Sequence, residues 1–229
     1  MRAMILAAGL GKRMRPLTAN LPKPLLKVRG KPLIEHQIEK LVAAGVSGIV
    51  INHFYLGDMI EAAVGDGKRF GVEISYSRET TRLDTAGGII KSLSQLQDDS
   101  FIVVNADIWT DFEFSRLQAV DGKDRLAHLV LVDDADHNPY GDFYIDEVGR
   151  VHEDHSTRDQ KLTFSGISVL HKKLFTGLSI EPLSVVPLLQ AAMAENRVSG
   201  VIHPGLWMDI GTPERLLKVN ALASAAAGE

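Results

Sequence analysis

Apolar and polar positions fall into blocks along this chain, and the block lengths predict its elements. Met4 to Leu6 is a short apolar run of strand type. Leu33, Ile34, Ile38, Leu41 and Val42 recur at helical spacing behind Pro32 and ahead of Gly45, which predicts a helix over Leu33 to Ala44. Val46 to Ile51 follows as an apolar strand, Leu56 to Val64 as a second helix closed by Gly65, and Val72 to Tyr76 as an alternating strand. Ile89 to Leu96 has helical spacing, and Phe101 to Val104 is apolar throughout, as in strands buried inside parallel sheets. This βαβαβαβ order predicts an α/β fold with a doubly wound, mostly parallel sheet. Ligands of such sheets bind at the carboxyl ends of the strands.

The second half changes texture. Strands are expected over Leu126 to Val132, Phe143 to Ile145 and Leu162 to Leu170, with turns at Asn138 to Asp142 and at Val148-Gly149-Arg150. This pattern predicts a small antiparallel insertion beside the first half. Thr212 as N-cap and Pro213 in the first turn open a last helix over Glu214 to Ala223. The length suits one domain over 1–229, with halves at about 1–110 and 111–229.

Composition narrows the chemistry. The absence of cysteine excludes a disulfide framework and thiolate catalysis. The apolar run Ala3 to Leu10 is too short for a signal peptide and meets Lys12-Arg13 at once, and no stretch is long enough to span a bilayer. The expectation is a cytoplasmic protein with no nucleic-acid or membrane partner. No assembly segment stands out, so a monomer is the default. His152 and His155 share i, i+3 spacing, but no helix is indicated there and a zinc site is not expected.

Charge is distributed unevenly. Net charge is −4, yet no Asp or Glu occurs before Glu35. That acid-free segment holds Ala7, Ala8, Gly9 and Gly11, interleaved with Lys12, Arg13 and Arg15, and then Lys23 between two prolines. Small residues let backbone N–H groups approach phosphate oxygens, and the cations neutralise them. An anionic ligand is therefore expected at this loop. It is not a Walker A loop, because Arg13 follows Gly11-Lys12 where Ser or Thr is required. It also lacks the third glycine of a dinucleotide fingerprint, Met14 standing there.

Two acids lie at similar places. Asp107, just past the apolar strand 101–104, is either a metal ligand aimed into a cleft or a turn residue. Asp209 sits among apolar neighbours, where a carboxylate needs a partner; a Mg²⁺ shared with Asp107 would be one. Without a cation, two converging carboxylates would repel each other.

The strings L-A-A-G-x-G-x-R-M-x-P-L-T (6–18), P-K-P (22–24), L-x-T-A-G-G (83–88), N-x-D (105–107) and W-x-D-I-G-T-P (207–213) together resemble the signature of the sugar-1-phosphate nucleotidyltransferases, in that family's order. G-D-F (141–143) and F-S-G-I-S-V-L-H (164–171) resemble one branch, the N-acetylmuramate α-1-phosphate uridylyltransferases. The resemblance implies the Rossmann-like, GT-A-like nucleotidyltransferase fold, with the antiparallel insertion binding sugar. It implies UTP and N-acetylmuramic acid 1-phosphate as substrates, UDP-sugar and pyrophosphate as products, and a role in bacterial cell-wall recycling.

It further implies roles for individual residues. Ala7, Ala8, Gly9, Gly11, Lys12 and Arg13 would hold the triphosphate, and Arg15 and Lys23 would stabilise charge on the leaving group and α-phosphate. Asp107 and Asp209 would bind Mg²⁺. Glu79 would meet the base, with the backbone around Gly88 at the base edge. Read from the residues alone, the same stretch is a helix N-terminus capped by Asp84 or Thr85, and both readings can hold. Asn105, Gly141, Asp142, Glu153 and Ser165 would contact sugar. The chain departs from the family at Ala106, where Gly is commoner, and at Glu153-Asp154-His155, where many relatives have Glu-Lys-Pro. Other readings are a different sugar (glucose, mannose or a heptose) with UTP, dTTP or GTP, or an inactive nucleotide-sugar sensor. A sensor has no need of the full set Arg13, Lys23, Asp107 and Asp209.

Overall fold

The computed structural model describes residues 1–133, 138–154 and 161–225, with backbone only at 224–225. In chain order the elements are β1 (Ala3–Leu6), β2 (Lys27–Val28), β3 (Lys31–Pro32), α1 (Leu33–Ala43), β4 (Ile49–His53), α2 (Gly57–Val64), β5 (Ile74–Arg78), α3 (Asp84–Leu96), β6 (Ser100–Asn105) and β7 (Ile108–Thr110). They continue as β8 (Ala127–Val132), β9 (Tyr144–Ile145), β10 (Val151–His152), β11 (Thr163–His171), α4 (Val186–Ala194), β12 (Val198–His203), β13 (Trp207–Asp209) and α5 (Pro213–Ala225).

The central sheet has seven strands in the order β12-β8-β11-β6-β1-β4-β5. Strands β6, β1, β4 and β5 run parallel, as the alternation of the first half predicts. Successive residues of each strand face opposite layers. Ile5, Ile51 and Val104 pack with Ile34, Ile38 and Leu41 of α1 and Ile60 of α2. Met4, Val50, Phe101 and Val103 pack with Ile89 and Leu96 of α3 and Leu189 and Met193 of α4. A third cluster joins Met14, Val28, Leu33, Ile210 and Val219, so α5 is packed against the N-terminal loop.

The second half differs from expectation. β8 and β11 are not an inserted lobe: β11 pairs antiparallel with β6 and β8, and β12 adds a parallel edge, so all three extend the central sheet. The antiparallel insertion reduces to the β9–β10 hairpin. α4 and β12 are elements the periodicity does not signal. β12 is interrupted by Ser199 and Gly200, and α4 is apolar on several faces.

Helix α3 begins at Asp84 rather than Ile89 because its glycines serve packing. A Cβ on Gly87 would lie 2.1 Å from the Glu181 carbonyl oxygen. In its first turn Asp84 Oδ1 accepts from the Thr85 N–H at 2.7 Å, so Asp84 takes one of the otherwise unpaired N–H groups. The Ala86 and Gly87 N–H groups donate to the Leu183 carbonyl at 2.8 and 3.2 Å, while Thr85 Oγ1 accepts from Val185 N–H at 2.8 Å. Among the described residues no helix is long and apolar enough to cross a membrane.

Candidate active site

β1 ends at Leu6, and the chain turns at the carboxyl edge between β4 and β6. Ala7 N–H donates to Asn52 Oδ1 at 2.9 Å, which ties the loop to the end of β4. Gly11 has φ +60°, a left-handed conformation that costs a side-chain-bearing residue more. Its carbonyl accepts from Thr18 Oγ1 at 2.7 Å and Met14 N–H at 2.9 Å. The resulting tight turn, Lys12–Met14, buries Met14 and leaves Lys12 and Arg13 exposed. Local sequence thus anchors one side chain and presents two cations.

Those cations face a cavity walled by Gly9 to Met14 on one side and by Lys23, Arg82, Asp107 and Gly211 on the other. Arg82 also borders an adjoining, more apolar cavity lined by Leu6, Ala8, Asn52, Asp84 and Thr85. A third cavity runs from Gly9 past Lys23 and Asp107 to Asn105, and a fourth passes Asn105 and Gly166 to Phe164, Val185 and Leu189. The shared residues make one continuous cleft across the ends of β1, β4 and β6. Among the described residues, the side chains of Lys12, Arg13 and Arg82 make no ion pair or hydrogen bond, so their charge is available to an anion.

A ribbon ties the backbones at the two acids to each other. β7 and β13 pair antiparallel with Asp209 opposite Ile108, and Ile210 N–H donates to the Asp107 carbonyl at 2.7 Å. Asp107 and Asp209 therefore occupy neighbouring rungs. A Cβ on Gly211 would lie 2.6 Å from Asp209 Oδ2 and 3.2 Å from Arg13 Nη2, so only glycine leaves room there for both groups. Each carboxylate already has a protein partner. Lys23 Nζ donates to Asp107 Oδ2, and Arg215 Nη1 donates to Asp209 Oδ1. The expectation that Asp209 depends on a metal for its counter-charge is corrected: Arg215, in the first turn of α5, supplies one.

The donor set fits a hard divalent cation. Two carboxylates beside an anion-binding loop are the Mg²⁺ pattern, in which water and phosphate oxygens complete the shell. Among the described residues no group of three or more His, Cys, Asp or Glu side chains forms an all-protein cage.

A family model described as Nucleotidyl transferase matches residues 2–225. The chain belongs to that family. It is 46% identical to N-acetylmuramate alpha-1-phosphate uridylyltransferase of Neisseria meningitidis serogroup B, over 98% of this chain and 99% of that one. It is 34% identical to the protein of the same name from Caulobacter vibrioides, over 98% and 97%. A solved structure of a putative glucose-1-phosphate thymidylyltransferase from Bacillus anthracis superposes with a TM-score of 0.84 at 22% identity, covering 97% of this chain and 95% of that one, which shows the shared fold.

Within this nucleotidyltransferase cleft the residues singled out from sequence divide in two. Ala7, Ala8, Gly9, Gly11, Lys12, Arg13, Lys23, Asn105 and Asp107 line it, and Asp209 adjoins it through Gly211. Arg15 is exposed and lies outside the lining of these cavities. Glu79 is buried, accepting from Asn52 Nδ2 at 2.7 Å and Leu83 N–H at 3.0 Å; it meets the cleft through Asn52. A Cβ on Gly88 would come within 2.8 Å of both residues.

Sugar-side residues are mostly engaged elsewhere. Ser165 is buried, its hydroxyl donating to the Val130 carbonyl at 2.7 Å where β11 bulges; its neighbour Gly166 lines the cleft instead. Asp142 accepts from Phe164 N–H and Asn138 Nδ2, and Gly141 forms the turn beside it. Glu153 is exposed and accepts from Gln190 Nε2 at 2.8 Å. His152 pairs with Asp146 at 3.1 Å, and His155 lies outside the described residues.

Asn52, Arg82 and Arg215 were not legible as site residues. Asn52 had a signal: it is the first polar residue after the apolar run 49–51, as Asn105 is after 101–104. Arg82 lies in a loop with no pattern, and the role of Arg215 depends on a contact six residues away.

Proposed function

We propose that this nucleotidyltransferase joins UTP to N-acetylmuramic acid α-1-phosphate, giving the UDP-sugar and pyrophosphate. The observation that carries the proposal is the 46% identity, over the full length of both chains, to a uridylyltransferase of that name. Further support comes from the three cations, Lys12, Arg13 and Arg82, which line the same cavity as Gly9 and Gly11.

An oxygen of the sugar phosphate attacks the α-phosphorus of UTP in line. The new P–O bond forms as the bond to the β-phosphate breaks, and pyrophosphate departs with the bonding electrons. The attacking phosphate is already ionised at neutral pH, so positioning and charge neutralisation carry the catalysis. Backbone around Gly9 and Gly11 takes phosphate oxygens, Lys12 and Arg13 hold the β- and γ-phosphates, and Lys23 meets charge at the α-phosphate. Asp107 and Asp209 would hold a Mg²⁺ ion, which would supply positive charge to phosphate oxygens that these side chains leave uncompensated. Base and ribose occupy the cavity beside Asn52, and the sugar lies from Asn105 toward Gly166 and Val185. The segment 1–110 then serves mainly the nucleotide and 111–229 mainly the sugar, in one domain. The proposed setting is cytoplasmic cell-wall recycling by a monomer.

A panel of UTP, GTP and dTTP against N-acetylmuramic acid, glucose and mannose 1-phosphates, followed by pyrophosphate release with Mg²⁺, tests this. The highest kcat/KM is expected for UTP with N-acetylmuramic acid 1-phosphate. Faster turnover of GTP with mannose 1-phosphate would overturn the specificity, and no pyrophosphate from any pair would overturn the activity.

A further inference from the structure

Arg215 stands in an unusual place. It lies in the first turn of α5, where the helix dipole disfavours a cation. Its side chain is nevertheless only 26% exposed and pairs with Asp209, whose own side chain is 14% exposed. On the neighbouring rung, Lys23 does the same for Asp107. Among the described residues, the two carboxylates and these two cations sum to zero, and the side chains of Lys12, Arg13 and Arg82 line the cavity without an ion pair.

We propose that Arg215 is a positioning residue that occupies Asp209 in the free protein, so that a divalent cation enters the site together with a triphosphate and not before it. The proposal rests on reading Asp107 and Asp209 as the metal ligands. A dication gains little from a site already neutral, and it must displace a guanidinium to reach Asp209 Oδ1. A triphosphate changes both conditions. It brings negative charge to the cation and presents phosphate oxygens as an alternative partner for the displaced guanidinium. Arg215 is partly exposed, so its side chain has room to move outward.

A purely structural Arg215, pinning α5 to β13, would alter folding stability but not the dependence of metal binding on nucleotide. The test therefore reads metal affinity directly, by electron paramagnetic resonance of Mn²⁺, with and without a non-hydrolysable UTP analogue. Wild type is expected to bind Mn²⁺ weakly alone and about tenfold or more tighter with the analogue, a coupling of ordinary size. Arg215→Met is expected to bind Mn²⁺ about tenfold tighter alone and to lose most of that coupling. Arg215→Lys, which keeps the charge, should stay near wild type. Arg215→Gln substitutes for the Met variant if that one does not fold, as judged by circular dichroism. Equal Mn²⁺ affinity and equal coupling in wild type and the charge-removing variant would overturn this inference alone. Absence of Mn²⁺ binding to wild type in either state would overturn the two-carboxylate site itself, and the inference with it.

Discussion

Asn52 and Glu79 are joined side chain to side chain, Nδ2 donating to Oε1 at 2.7 Å, inside the wall of the cleft. The rest of each group is also used: Asn52 Oδ1 accepts from Ala7 N–H, and Glu79 Oε2 accepts from Leu83 N–H. One buried pair thus fixes the first residue of the anion loop and the segment leading into α3. Asn52→Leu strands the Ala7 N–H and one Glu79 oxygen, and a cost of about 2–3 kcal/mol is expected, since buried groups left unpaired lose most of their solvation. The urea midpoint should fall and the KM for nucleotide should rise. An unchanged midpoint would show that the pair does not organise the wall.

Asp107→Asn and Asp209→Asn are each expected to lower kcat by roughly two to three decades, about 3–4 kcal/mol of transition-state stabilisation. The double variant should lose little more, because ligands of one ion act as a unit. Losses that simply multiply would separate the two roles. Without metal, the carboxylates are compensated by Lys23 and Arg215, so each single variant should be less stable than wild type, by about 1–2 kcal/mol. Relief of carboxylate repulsion would give the opposite sign in a melting experiment.

Arg82 borders both the loop cavity and the cavity beside Asn52, where a guanidinium can grip phosphate through two parallel hydrogen bonds. Arg82→Ala should raise the KM for the nucleoside triphosphate by about tenfold, with the KM for the sugar phosphate little changed. Arg82→Lys should recover only part of the loss, because an ammonium is a single point of contact. Equal effects on both substrates would place Arg82 outside the triphosphate site.

Glu61 of α2 accepts from Arg78 Nε at 2.7 Å and from His53 Nε2 at 2.6 Å. The Arg78 hydrogen bonds hold its carboxyl below the ordinary value of 4.5, outweighing burial, which acts upward, with His53 adding in the same direction as Arg78. A depressed folded-state value means stabilisation that is complete above the unfolded value and is lost as pH falls through the folded one. Glu61→Gln should therefore be less stable than wild type at pH 7, by about 1 kcal/mol for a partly exposed network. The gap should close progressively below pH 4.5. Urea unfolding of both proteins at several pH values measures it, and a gap independent of pH would remove the ion pair from the account.

By itself the sequence determined the order of strands and helices in the first half, the glycine- and cation-rich loop at the carboxyl end of β1, and the acids that follow β6 and close β13. These are local properties: the spacing of apolar residues, a proline at a helix start, small residues at a turn, and an acid-free segment rich in cations. What needed tertiary structure was which groups meet. No sequence pattern marks Arg215 as the partner of Asp209, because the contact depends on how α5 is set against β13. Glu79 directly follows the alternating strand β5 and Ser165 lies early in β11, yet one is taken by Asn52 and Leu83 and the other by the Val130 carbonyl of a neighbouring strand. β8 and β11 join the central sheet because β11 runs antiparallel between β6 and β8, and period-two alternation is the same in a separate hairpin as in a central strand. Periodicity fixes the face a side chain takes within its own element; the partner across the gap is set by register between segments far apart in the chain, and only the folded sheet fixes that register.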